Sequence, residues 1–158
     1  MEGFTLSLAL VDAIPVLLFG ASVIMIGAKS GHPLFIIGAA LSFLAGCCKV
    51  AWKLILALKN KNVKWLNKGF LPLMGAGWIL ILVSLVLLKS GGYDTAWAGG
   101  LIKIPSVLLL GLWVILMGFM VWYRKKRFKN DDAKSNWTAQ IINCVAMASL
   151  FLAILMAK

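Results

Sequence analysis

The sequence predicts an all-α integral membrane protein: five transmembrane helices in a compact bundle, forming one domain over residues 1–158, with the N-terminus cytoplasmic and the C-terminus outside. Three observations carry this. Of 158 residues, 62% are apolar and 13% charged; soluble domains average about 45–50% apolar and about 25% charged, so the chain lacks the charge to clothe a water-facing surface. Apolar stretches at residues 5–28, 33–58, 70–88, 101–123 and 137–157 each approach or exceed the ~20 residues that a spanning helix needs. They are continuous runs without period-two alternation. Lipid requires every backbone donor and acceptor to be satisfied internally, so such runs select helices rather than a closed barrel. Spans and loops consume nearly the whole chain, which excludes a separate soluble catalytic domain.

The first stretch, 5–28, differs from a secretory signal. No Lys or Arg precedes its apolar run, Glu2 and Asp12 stand there instead, and the run is too long. Pro15 removes one backbone donor within it, bending the helix and freeing a carbonyl to join a site. In the second stretch, 33–58, Gly38, Ser42, Gly46, Lys49 and Lys53 follow steps of 4, 4, 3 and 4, which places them on one stripe. Its outer part is a small-residue packing surface; its inner part is cationic. Asp12, Gly20 and Gly27 share a face of the first helix. Reflection through a turn at Ser30 and Gly31 sets Val16 against Gly46 and Val23 against Gly38. Asp12 lies 19 residues before Gly31 and Lys49 lies 18 after it, so the sequence predicts a pair at one depth. Lys53, nearer the headgroups, is expected to snorkel on its long stem.

Trp78 in the third stretch and Trp113 in the fourth lie symmetrically about the loop between them, too deep for the aromatic belt. They either pack or line a cavity, and Gly75 and Gly77 leave room for both. The second and fourth stretches each begin near a proline, Pro33 or Pro105, and each end in a basic loop, the pattern of a two-helix unit used twice. The fifth stretch adds Gln140 and Asn143, the latter six residues from its inner end and so near the layer of Asp12 and Lys49.

Charge sets the orientation. Lys59, Lys61, Lys64 and Lys68 fill one break, and Arg124, Lys125, Lys126, Arg127, Lys129 and Lys134 another. Short loops rich in Lys and Arg face the cytoplasm, in the plasma (inner) membrane. Trp65, Trp122, Tyr123 and Trp137 then fall at the inner boundary, and Tyr93 and Trp97 at the outer one. Such loops attract anionic lipid headgroups by about 1 kcal/mol per cation. They lack the interleaved aromatics of a nucleic-acid site, and no nucleic-acid partner is expected.

An ionised side chain at the bilayer centre costs about 2.5–3.5 kcal/mol on insertion scales, which makes such residues functional candidates by default. The candidate ligand-binding set is Asp12, Lys49, Lys53, Asn143, Trp78 and Trp113. Cys47 and Cys48 are adjacent and Cys144 stands alone, without metal-ligand spacing. They read as apolar fillers, and the single histidine, His32, as a solvated turn residue. No phosphate loop and no Ser–His–acid set occurs. Neither metal nor cofactor is expected, and enzymatic chemistry would need a lone Asp or a bound cofactor. The expected function is binding or transport of a small anionic or amphipathic solute through a polar site in the inner half. The alternative, from a different class, is an accessory or assembly subunit that docks a helix partner or a second copy through small-residue faces.

Overall fold

The computed structural model describes residues 6–59, 61–90, 96–127 and 132–157. Every element among them is helical: α1 (Leu6–Ser30), α2 (Pro33–Lys59), α3 (Lys64–Ser90), α4 (Ala96–Leu101), α5 (Ser106–Lys126) and α6 (Ala133–Met156). Five helices are long and apolar enough to cross a membrane: α1, α2, Lys64–Leu87 within α3, α5 and α6. Tyr93 and the side chain of Trp97, assigned by the sequence to the outer boundary, lie outside the described residues.

The boundaries follow local chemistry. Gly31, at φ 62, takes the left-handed conformation after α1 and its N–H closes on Gly27 O at 3.0 Å, a glycine helix stop. Pro33 then opens α2, where its missing N–H costs nothing. Two residues therefore reverse the chain. His32 between them is buried at 6% exposure rather than solvated. Basic residues extend the spans: α3 begins at Lys64 instead of 70, and α6 at Ala133 instead of 137. Asp132 caps α6 by accepting from the backbone of Lys134 at 3.3 Å and Ser135 at 3.0 Å. In the opposite direction, α5 begins at Ser106 rather than 101, because Pro105 separates it from the short α4.

The helices pack in the order α3, α2, α1, α6, α5, and α3 and α5 are not among the closely packed pairs. The two helix pairs of the sequence pattern, α2 with α3 and α5 with α6, are each closely packed, and α1 lies between them against α2 and α6. Parallel packing of α1 on α6 is held at both ends with the same offset. Asp12 meets Gln140, and Lys29 Nζ donates to Ala157 O at 2.9 Å, each pair 128 residues apart. On α6, Ala139, Ala146 and Ala153 are buried at seven-residue steps, a small-residue row that lets a neighbouring backbone approach.

On α2 the predicted stripe divides between two neighbours. A Cβ on Gly46 would lie 3.0 Å from Val16 of α1, as reflection through the turn predicts. Gly38 instead faces α3: its Cβ would lie 2.7 Å from Gly77 O, and a Cβ on Gly77 would lie 2.6 Å from Gly38 O. Val23, expected opposite Gly38, clusters with Phe35, Ala39 and Ile81. The reason is angular. At ~100° per residue, steps of 4, 4, 3 and 4 sweep roughly 80° around the helix, with Gly38 and Lys49 at one edge and Gly46 and Lys53 at the other. One edge meets α3 and the other meets α1.

Candidate functional site

That angular split decides the fate of the two intramembrane lysines. Lys53 shares the α1-facing edge, and its Nζ lies 2.7 Å from Asp12 Oδ2. The ion partner of Asp12 is therefore Lys53, in place of the predicted Lys49. Depth alone had paired Asp12 with Lys49, yet both lysines lie within one turn of its level. A helical side chain also leans toward its own N-terminus, which on α2 carries the ammonium of Lys53 back to the layer of Asp12. Lys53 does not snorkel; it is 8% exposed and Asp12 is 7% exposed. Gln140 Nε2 donates to the other carboxylate oxygen. The carbonyl freed by Pro15 belongs to Val11, one helical bond earlier, and Cys144 Sγ donates to it at 3.8 Å. Cys144 is thus a weak donor rather than pure filler, and the α1–α6 contact closes around a cluster in which the Asp12 carboxylate is paired on both oxygens while Gln140 Oε1 has no hydrogen-bond partner.

Lys49 turns the other way. Its Nζ sits 4.2 Å above the Phe70 ring of α3, a cation–π contact. Both groups line a cavity of about 310 Å³, within the ~300–1,000 Å³ of small-molecule sites. Asp12, Pro15, Val16 and Phe19 of α1 form its back wall together with Ser42, Gly46 and Lys49 of α2 and Asn143 and Met147 of α6. Phe70, Met74 and Trp78 of α3 and Trp113, Met117, Met120, Val121 and Arg124 of α5 form its flanks. The cavity lies between α3 and α5, which are not among the closely packed pairs.

Five of the six predicted site residues converge on this cavity: Asp12, Lys49, Asn143, Trp78 and Trp113. Lys53 does not line it and instead neutralises Asp12 from the side. Trp78 is open to the cavity and tilts against Phe19, with ring centroids 6.4 Å apart. Sequence reasoning missed Arg124, which it had assigned to the orientation of the loop. Its position directly after Tyr123, at the end of an unbroken apolar run, is the signal that a long guanidinium stem can fold back beside the span. It also passed over methionine: of seven in the chain, Met74, Met117, Met120 and Met147 line the cavity. Unbranched thioether side chains adapt to ligands of varied shape.

The electrostatics are one-sided. Among the described lining residues Asp12 is the one carboxylate, and its charge is met by Lys53. No described carboxylate lies within ion-pair distance of Lys49 or Arg124. An apolar chamber thus carries two cations without counter-ions at one end. Among the described residues no three His, Cys, Asp or Glu side chains gather as a metal ion would require. Helices and cavity together define a class, a helical membrane protein with five candidate spans and an interior cavity lined at one end by cations. Beyond that class, the chain matches no family model, no curated protein and no solved structure.

Proposed function

We propose that this protein resides in the plasma membrane and binds, for transport, a small amphipathic anion in the cavity between α3 and α5. The observation that carries the reading is the pair of uncompensated cations, Lys49 and Arg124, at one end of a largely apolar and methionine-rich chamber. An anionic group at Lys49 and Arg124 supplies the missing counter-charge, and an apolar body covers Phe70, Met74, Met117 and Met147. Entry from the bilayer between α3 and α5 fits their loose association and their exposed apolar faces, with Leu82 and Val86 on one and Val114 and Val121 on the other. The two basic loops orient the charged end of the cavity toward the cytoplasm, with the N-terminus on that side and the C-terminus outside.

Ligand-induced stabilisation in neutral-lipid nanodiscs tests this, with alkyl phosphates, sulfates and carboxylates set against the matching alcohols. Saturating anion at about 100 times its Kd should stabilise the fold by about 2.7 kcal/mol, and the alcohols should do far less. Equal responses to anions and alcohols would contradict the reading. Orientation is checked by single cysteines in a background cleared of Cys47, Cys48 and Cys144. A probe at Lys64 should be shielded from external reagent and one at Asp94 open to it; the reverse pattern would place the cavity's charged end outside.

A second reading, a subunit docking another membrane protein, draws on a different surface. An apolar groove of about 420 Å³ runs between α1 and α2 and is lined by Gly20, Gly27, Ala28, Ala39 and Ala40. Two of these glycines already serve the hairpin itself: a Cβ on Gly20 would collide with the Phe43 ring, and one on Gly27 would meet Ile36 at 3.4 Å. Purification of a stoichiometric complex that Ala40→Leu disrupts, without any anion response, would favour docking over solute binding.

A further inference from the structure

The cavity holds a second polar feature away from its cations. Ser42 on α2 and Trp113 on α5 both line it, and both Ser42 Oγ and Trp113 Nε1 are buried without a hydrogen-bond partner. Three other serines inside the spans differ. Ser22, Ser84 and Ser149 each donate to a carbonyl of their own helix, at 2.8, 2.7 and 2.8 Å, whereas the fully buried Ser42 makes no such bond. The Trp113 indole N–H has no local alternative. It can only donate, and a tryptophan seven residues inside α5 is too deep for the headgroup belt that satisfies most membrane indoles.

Both donors lie on the same side of the cations. Ser42 precedes Lys49 by seven residues on α2, and Trp113 precedes Arg124 by eleven on α5. At 1.5 Å per residue these separations are roughly 10 and 16 Å of axial rise, shortened because Lys and Arg side chains lean back toward the helix N-terminus. The Trp113 N–H, and a Ser42 hydroxyl turned away from Gly77, against which its Oγ rests, have no cation beside them, so they suit a neutral oxygen rather than a second charge.

We infer that the ligand of this cavity carries, besides its anionic group, a neutral oxygen acceptor on its apolar body, received by the Trp113 indole N–H and the Ser42 hydroxyl. This rests on the solute-binding reading above and specifies its substrate class. That class is an anionic amphiphile with a carbonyl or ether oxygen roughly 10 Å from the charge, spanning from the Lys49–Arg124 end to the Ser42–Trp113 level. A bilayer lipid and a free amphiphile share this chemistry.

Equilibrium binding in phosphatidylcholine nanodiscs tests the inference with decyl phosphate and its analogues bearing one ketone, walked along the chain. Wild-type protein should bind the best-placed ketone roughly threefold to tenfold more tightly than decyl phosphate, the worth of one or two net hydrogen bonds. Trp113→Phe with Ser42→Ala should erase that preference, the ketones then binding no more tightly than decyl phosphate does to the same variant; Ser42→Ala alone, the milder packing change, should remove part of it. Equal affinity for all probes in wild type, or variants that weaken every probe alike, would overturn the acceptor site. Failure of decyl phosphate itself to bind would instead bring down the solute-binding reading. Added phosphatidate that competes with the probe identifies a bilayer lipid as the source of the chemistry, and the ketone preference must persist in discs without it.

Discussion

Lys49 and Lys53 stand four residues apart on one helix and end in opposite environments. Lys53 closes a buried cluster with Asp12 and Gln140 at the α1–α2–α6 contact. Lys49 rests on an aromatic ring at the edge of an apolar cavity, with no described carboxylate in reach. The contrast shows that a charge inside a membrane protein acquires its role from the side of the helix it occupies. A rotation of ~40° separates a charge consumed by structure from one left available to a ligand.

The largest predicted effect tests the closed cluster. Asp12→Ala leaves the Lys53 ammonium buried and unpaired and should cost about 3–5 kcal/mol. Asp12→Ala with Lys53→Met should recover most of that loss. Unfolding in an SDS titration measures both, and additive losses would deny the pairing. Gln140→Leu removes one charge-assisted hydrogen bond from the same carboxylate and should cost about 1.5–3 kcal/mol in the same assay.

Glycine substitutions sharpen the comparison from the other edge of α2. Gly77→Ala drives a methyl into the Gly38 carbonyl and the Ser42 hydroxyl, so the α2–α3 crossing must part, at about 1–3 kcal/mol. Gly75→Ala meets nothing within 4 Å and should be neutral, or gain up to about 1 kcal/mol from helix propensity. Similar losses at both positions would mean that the close crossing does not hold the flank of the cavity.

The class of fold was legible in the sequence because hydropathy and length act locally, and five candidate spans emerge where five apolar runs stand. Ends were less legible. Polar first turns continue a helix at Lys64 and Ala133 without an apolar signal, and Pro105 delays α5 despite continuous hydropathy. Asp12, Lys49, Asn143, Trp78 and Trp113 were recognisable as residues out of place in lipid; depth counting brought Asp12, Lys49 and Asn143 to one layer and matched Trp78 with Trp113, but it did not join the two groups. Depth counting could not choose between Lys49 and Lys53, because that choice depends on which neighbour meets each edge of α2. Nor could it find Arg124, which composition alone assigns to the loop.

The most direct measurement compares decyl phosphate binding across two variants in neutral nanodiscs: Lys49→Met, and Asp12→Asn combined with Lys53→Met. Methionine keeps the bulk of each lysine stem, and the double variant removes the buried pair without leaving a lone charge. Lys49→Met should weaken binding tenfold or more, about 1.4 kcal/mol, with little change in unfolding. The double variant should bind as wild type does. Retained binding in Lys49→Met, or loss in the double variant, would contradict the division of the two lysines into ligand cation and structural cation.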